Sequence, residues 1–301
     1  MEEPSAPDQG QSGPGSRLYA FLRRSALRLS STPLHPQWFS FRGKARGSVA
    51  GQPGVSGNGT VQVGSIRRLA SRLRMTPLHP QWFAFLREAR NLKATCSTLS
   101  GLVLDIGCAA GAPRGYLPDD ALYLGIDHYS TAANWYGTRP DVYADAQSLP
   151  FPDASIDHAL LLDVLEHLPD PDQCLAELAR TLKHGATLTI QVPFLYPVHD
   201  APLDFHRWTR FGLTRAAERH GFRVARETAI GHPLETAALN GNIALSQTVM
   251  NWIASRNPLA LSVIALPAVI LLVNCCGWLF AALSRRDDLM PYAYRMVWTR
   301  D

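Results

Sequence analysis

Charge is scarce in this 301-residue chain: 18% of it is Asp, Glu, Lys or Arg, against 46% apolar residues. That composition excludes a wholly disordered polyelectrolyte and leaves enough apolar side chains for one large or two small folded domains. Cysteine is scarce as well. The five (Cys96, Cys108, Cys174, Cys275 and Cys276) fit neither a metal-binding spacing nor a disulfide framework. Buried thiols, a reducing compartment and no metal site are the expectation. No secretory leader is expected either, since Met1-Glu2-Glu3-Pro4 is acidic and the first apolar residues are scattered. Absent too is the G-x-G-x-x-G turn that seats a pyrophosphate on helix N–H groups.

What is present is a strand, a glycine turn and a helix start at 102–117. Leu102, Val103, Leu104 and Ile106 form a short apolar run of the kind buried in a parallel sheet. Gly107 and Gly111 follow it, and Pro113 suits a first helical turn. In an open parallel sheet a ligand binds at this carboxyl end. The pattern here is D-x-G-x-x-x-G, through Asp105, Gly107 and Gly111. A fixed carboxylate at Asp105 repels phosphate but attracts an ammonium or sulfonium. Asp127 ends a second apolar run, 122–126, where an acid can accept both hydroxyls of a ribose. Asp145 follows a poorer third strand, 141–144, and Asp163 a fourth, 156–162. Four acids at four successive strand ends suit a cationic nucleoside, which describes S-adenosylmethionine.

The motifs VLDIGCAAG (103–111), GID (125–127), ADAQSLPFPDASID (144–157), LLLDVLEHLPDP (160–171) and LARTLKHGATLTIQVPF (178–194), with the later RHGF (219–222), resemble the class I S-adenosylmethionine-dependent methyltransferases. The quinone-biosynthesis branch is the one they most resemble. Ala109 stands where that family usually has a third glycine, and His184-Gly185-Ala186 replaces its usual Pro-Gly-Gly. The resemblance implies a doubly wound α/β sheet of seven strands, mainly parallel, with the last antiparallel and beside the sixth. It also implies S-adenosylmethionine as cofactor, held by Asp105, Gly107, Gly111, Asp127, Asp145 and Asp163.

The +4 net charge conceals an asymmetry: residues 1–101 carry +10 and the rest −6. A basic segment of this kind fits an anionic surface, membrane or nucleic acid. Residues 1–16, rich in Pro, Gly, Ser and Gln, read as disordered. The octapeptide TPLHPQWF occurs at 32–39 and again at 76–83, with a Gly/Ser-rich linker at 47–64. Only the second copy adjoins the first strand. Its aromatic residues Trp82, Phe83 and Phe85, with Leu86, are expected to pack as a lid over that strand. A basic interfacial helix is the alternative. The helix after 170 is expected to be capped by Asp172 and closed by Gly185, and the fifth strand to span 187–192. Residues 259–283 carry no charge, long enough for one membrane crossing, with Pro267 dividing the run. The expected division is 1–64 basic and largely disordered, 65–100 helical, 101–232 with 289–301 as the α/β domain, and 233–288 a hydrophobic helical insertion.

Chemistry at the acceptor is expected from the loop after the fifth strand, PFLYPVHDAPLDFHRWTRFGL (193–213). Similar sequences carry H-x-x-P-x-D-F-x-R-[YW]-T, matched by His199, Pro202, Asp204, Phe205, Arg207, Trp208 and Thr209. His199 or His206 is a candidate base and Arg207 an anion clamp. The competing assignment is an Asp204–Arg207 ion pair that orders the loop. His167 is a further candidate. No N/D-P-P-Y tetrapeptide of the enzymes that methylate nucleic-acid amines is present. The expectation is therefore a methyltransferase on the cytoplasmic face of a membrane, acting on a small or lipid-linked acceptor and not on nucleic acid. Because one full span would separate the insertion from a last strand that returns to the sheet, a helix pair dipping into or lying on one leaflet is expected. The rivals are a non-catalytic binding module of the same fold and a nucleic-acid methyltransferase. Oligomeric state is not legible.

Overall fold

The computed structural model describes residues 73–301. The first copy of the repeat, the linker and the disorder expected for 1–64 lie outside those residues. Seven strands form a single sheet in the order β3-β2-β1-β4-β5-β7-β6. They are β1 (Gly101–Ile106), β2 (Ala121–Asp127), β3 (Val142–Tyr143), β4 (Ile156–Leu162), β5 (Leu182–Pro193), β6 (Phe222–Ile230) and β7 (Ala293–Arg300). β1 to β5 run parallel, and β7 lies antiparallel between β5 and β6. This is the sheet the resemblance implies. The strand order reverses at β1, so the crevice at the carboxyl ends of β1 and β4 is the topological switch point.

The apolar run of β1 is buried because helices cover both faces of the sheet. Val103, Leu104 and Ile106 are enclosed, as are Leu160 and Leu161 of β4 and Leu188, Ile190 and Val192 of β5. Helix α1 (Trp82–Leu86) and helix α2 (Glu88–Cys96) precede the sheet, α3 (Pro171–Thr181) joins β4 to β5, and α4 (Arg210–Arg219) precedes β6. Asp170, not Asp172, caps α3, its carboxylate accepting from Gln173 N at 3.1 Å. Pro171 then takes the first helical position. α3 ends at Thr181, four residues before Gly185, because β5 begins at Leu182, opposite Ile156. Pro113 opens a short 3-10 turn, Ala112–Tyr116, rather than an α-helix.

Between β6 and β7 stands a helical hairpin, α5 (Pro233–Ala254) and α6 (Leu266–Leu283), joined through a 3-10 segment at Pro258–Ile264. Pro267 lies in the first turn of α6, where the uncharged run divides into the shorter 3-10 segment and the longer helix. Among the described residues, α6 alone is long and apolar enough to cross a membrane by length and composition. The hairpin leaves and rejoins the sheet at one place: Ile230 pairs with Ala293, and Tyr292 N donates to Ile230 O at 2.9 Å. Trp82, Phe83 and Phe85 are buried: Trp82 and Phe83 pack against the base of this hairpin, with Ile230, Ala238, Leu239, Tyr292 and Ala293, while Phe85 faces the carboxyl end of β1 at Asp105 and Gly107. Arg87 fixes the arrangement with two hydrogen bonds to Glu235, at 2.8 and 2.7 Å.

Candidate active site

Two cavities meet at the carboxyl ends of β1 and β4, and Gly107 and Asp163 line both. The larger, about 280 Å³, has Ile126, Asp127, Asp145, Ala146, Gln147 and Tyr136 among its walls. The smaller, about 120 Å³, is bounded by Asp105, Glu88, Gln191, Tyr196, His199 and Arg295, and roofed by Phe85, Ile230 and Tyr292. The lid helices and the hairpin base therefore close the second cavity, while the sheet supplies its floor.

Asp127 ends β2 and is buried. Its Oδ2 accepts from Ala109 N at 3.0 Å and its Oδ1 from the Thr131 hydroxyl at 2.8 Å. Each carboxylate oxygen keeps a second acceptor site for a ribose hydroxyl. Burial raises its carboxyl above the ordinary range, against those hydrogen bonds. The Ala109 backbone that reaches it has φ of 45°, the left-handed region in which a glycine is unstrained. Asp145 is exposed at the rim of the larger cavity, its Oδ1 accepting from Gln147 N at 2.9 Å.

Asp105 is enclosed at the end of β1 and accepts from the Tyr123 hydroxyl at 2.6 Å. Burial pushes its carboxyl up to about 7, partly offset by that hydroxyl. Gly111, at φ 69°, stands apart from both cavities; a Cβ there would lie 3.0 Å from the same Tyr123 oxygen. Its role in the turn is to leave Tyr123 its place beside Asp105. Asp163, with φ of 54°, accepts from Gln191 Nε2 at 2.8 Å, and Gln191 Oε1 accepts from Arg295 Nε at 2.9 Å. Burial and then the Glu166 carboxylate raise Asp163.

The loop after β5 brings His199 to the wall of the smaller cavity. Asp204 and Arg207 face the other way, onto an open groove with His206 and Asn240. The Arg207 guanidinium is committed to Asp204, with Nη2 2.7 Å from Oδ2, and to the Pro197 and His206 carbonyls at 3.1 and 2.9 Å. Burial works against the Asp204 charge, yet Arg207 and the His199 N–H hold its carboxyl below the usual range. Asp204 also accepts from His199 N at 2.9 Å, so the ion pair is tied to the segment that holds His199. His167 also lines the larger cavity, its Nδ1 donating to Leu203 O at 2.9 Å.

Sequence reasoning passed over Tyr123, Tyr136, Glu166, Gln191, Arg295 and Glu88. Tyr136 donates to Asp200 at 2.8 Å. Glu88 reaches the smaller cavity from α2, where burial pushes its carboxyl up to about 7. Glu166 had a visible signal, since it directly precedes His167; Arg295 and Tyr123 lie within strands whose alternation says only which face they are on.

The residues present fit S-adenosylmethionine: a carboxylate with open acceptor sites in the larger cavity for a ribose, and buried carboxylates at the junction for a cationic sulfur and amine. The family described as "Methyltransferase domain" matches residues 104–190. The chain is 36% identical over 107 residues to the 27-O-demethylrifamycin SV methyltransferase of Amycolatopsis mediterranei, covering 32% of this chain and 39% of that one. It is 33% identical over 117 residues to the fatty-acid O-methyltransferase of Mycolicibacterium smegmatis, covering 36% and 40%. A solved S-adenosylmethionine-dependent methyltransferase from Aquifex aeolicus is 21% identical, with 56% of this chain and 92% of that one covered and a TM-score of 0.39. The chain spans about two fifths of the length of these two curated relatives. The methyltransferase family model thus matches residues 104–190, from β1 to β5, and the seven-stranded sheet has the order that the resemblance to class I S-adenosylmethionine-dependent methyltransferases implies.

Proposed function

We propose that this protein transfers a methyl group from S-adenosylmethionine to a hydroxyl of a small, largely apolar acceptor. The observation that carries the reading is the pair of cavities meeting at Gly107 and Asp163, one suited to a nucleoside and the other closed by aromatic side chains. When bound, the cofactor supplies an electrophilic methyl group on a sulfonium. Asp127 and Asp145 would hold the ribose side and Asp105 and Asp163 the cationic side. Phe85, Ile230 and Tyr292 exclude water from the smaller cavity. His199 assists the loss of the acceptor proton, and Asp204 with Arg207 positions it. Oxygen as the acceptor atom is supported by two relatives whose names describe a 27-O-demethylated substrate and a fatty-acid O-methyltransferase.

The acceptor reaches the site at a membrane surface, on the cytoplasmic side. Leu272, Phe280 and Leu283 of α6 are more than half exposed, and Arg285 and Arg286 follow them. Basic residues of this kind gain about 1 kcal/mol each near anionic head groups. The two ends of the hairpin, Ile230 and Ala293, pair with each other in the sheet, which supports a hairpin resting on or dipping into one leaflet over a single crossing.

Two experiments test this. Radiolabelled S-adenosylmethionine with a lipid and metabolite extract should yield an organic-soluble labelled product; calorimetry showing no binding of S-adenosylhomocysteine to the folded protein would refute the assignment. In flotation with phosphatidylglycerol vesicles the protein should rise with the lipid and Leu272→Glu/Phe280→Glu should not. Equal behaviour of the two proteins would refute the membrane reading.

A further inference from the structure

Glu166 is wholly buried, and neither of its carboxylate oxygens has a hydrogen-bond partner. An uncompensated carboxylate in such a place costs several kcal/mol. Two imidazoles flank it. His167 Nε2 and His199 Nε2 each lie 3.7 Å from Glu166 Oε1, too far for a hydrogen bond. Protonating Glu166 would remove the charge but give its new O–H no acceptor within hydrogen-bond reach of these nitrogens.

Both imidazoles are anchored through their other nitrogen. His167 Nδ1 lies 2.9 Å from Leu203 O, which can only accept, so Nδ1 carries the hydrogen. His199 Nδ1 lies 3.2 Å from both Pro197 O and Asp204 Oδ2, again acceptors. Arg207 Nη2 stands 3.4 Å from that nitrogen but donates to Asp204 and Pro197. In the neutral form each Nε2 therefore presents a lone pair toward the carboxylate. A histidine held by a carbonyl or carboxylate at Nδ1, with Nε2 turned inward, is the way metal-binding imidazoles are fixed. One ligand atom from each of Glu166, His167 and His199 lies within 4.8 Å of the others. Bonds of about 2.1 Å in a tetrahedral site set ligand atoms about 3.4 Å apart, so closing on an ion brings each imidazole nitrogen a few tenths of an ångström nearer Glu166 and the two imidazoles together by at most about 1.4 Å.

We propose that Glu166, His167 and His199 bind a divalent first-row transition cation on the wall between the two cavities. Two imidazoles and one carboxylate are a donor set for such ions, with further positions left for small ligands. The sequence reading expected no metal because it looked for cysteine spacings, and this site has none. The consequence for activity rests on the methyl-transfer reading above: an acceptor oxygen entering the smaller cavity would meet a cation held by His199. The binding site itself does not rest on it.

The test uses the full chain, stripped with chelator and dialysed against Co²⁺, whose visible absorption reports its ligands, and against Zn²⁺ for elemental analysis. About one equivalent of metal per chain, with Co²⁺ bands of a low-coordinate nitrogen and oxygen site, is expected. His167→Gln and Glu166→Gln should each weaken retention at least tenfold. His167 is partly exposed, so its variant keeps the test available if Glu166→Gln does not fold. Metal at background level in the wild type, or equal retention in wild type and His167→Gln, overturns the proposal. Methyl transfer is read separately: a metal-loaded protein that never transfers a methyl group refutes the reaction and leaves the cation site supported.

Discussion

Asn274 sits in the middle of an 18-residue apolar helix, α6, and is completely buried. Its Nδ2 donates to Pro77 O at 2.8 Å and His79 O at 3.0 Å, and its Oδ1 accepts from Asn242 Nδ2 at 2.9 Å. One side chain thus ties α6 to α5 and to the segment leading into the lid. Asn274→Ala removes three hydrogen bonds of about 1 kcal/mol each and leaves the Asn242 amide and two carbonyls without it. Neighbouring groups recover part of that by relaxing, so a loss of about 2–4 kcal/mol is expected. Asn242→Ala breaks one of the three and should cost about 1–2 kcal/mol. The double variant should be less destabilised than the sum of the singles by about 1 kcal/mol, the shared bond being counted once. Urea titration followed by tryptophan fluorescence measures all three, and limited proteolysis across 73–81 reports release of the lid. A loss under about 0.5 kcal/mol in Asn274→Ala, with strictly additive singles, would show that these bonds do not hold the hairpin to the domain.

Asp127→Ala should weaken S-adenosylhomocysteine binding by roughly 10- to 150-fold in calorimetry, the scale of hydrogen bonds to a charged group; unchanged affinity in the folded variant would remove Asp127 from the site. Asp105, pushed up to about 7 by burial, is partly protonated at neutral pH, and a cationic ligand favours its ionised form. S-adenosylmethionine affinity should therefore rise at least about tenfold from pH 6 to pH 8 with proton release near pH 7, and Asp105→Asn should flatten that slope, Asp163 and Glu88 supplying what remains. His79, lowered to about 4 by burial and by Arg74, binds its proton more readily when unfolded. Its contribution is complete above pH 6.5 and is lost as pH falls toward 4, so wild type should lose about 2 kcal/mol more than His79→Gln between pH 7.5 and pH 5. Asp204→Asn should lower kcat while leaving S-adenosylhomocysteine affinity unchanged; a parallel loss of cofactor affinity would mean that the loop does more than carry His199.

The sheet was legible because its signals are local. β1, β2 and β4 are apolar runs with an acid at or beside their carboxyl ends, and the acids at Asp105, Asp127 and Asp163 reach the switch point because strand ends there converge. The helix boundaries have local causes too. Asp170 rather than Asp172 caps α3 because Pro171 already occupies the first helical position. Pro267 opens α6 because proline is tolerated in a first turn, and the preceding 3-10 segment absorbs the change of direction. The partners of the acids were not legible. Tyr123 reaches Asp105 across 18 residues, Gln191 reaches Asp163 across 28 and Arg87 reaches Glu235 across 148, and no periodicity encodes such pairs.

Separations of that length also explain why the lid, the hairpin and the acceptor loop act as one unit. The lid carries Phe83 and Arg87, the hairpin Glu235 and Asn274, and the loop after β5 Tyr196 and Leu195. Asn240 of α5 donates to Leu195 O at 3.0 Å, and the Tyr292 hydroxyl donates to Phe83 O at 3.3 Å. Gly277 lets α6 come close to this junction: a Cβ there would stand 2.9 Å from the Ala238 Cβ and 3.4 Å from Phe83 Cζ. A force on the exposed face of α6 therefore reaches Phe83 directly and Leu195 through α5, and both lie at the roof of the smaller cavity or next to residues that line it. Packed elements of this kind move together because interiors at crystal-like density resist small independent shifts. Whatever docks on the outer face of the hairpin is thereby in mechanical contact with the walls of the smaller cavity. Substitutions at the junction, such as Gly277→Val, should change acceptor KM and thermal stability together, whereas Leu272→Glu on the outer face should leave stability unchanged within about 0.5 kcal/mol.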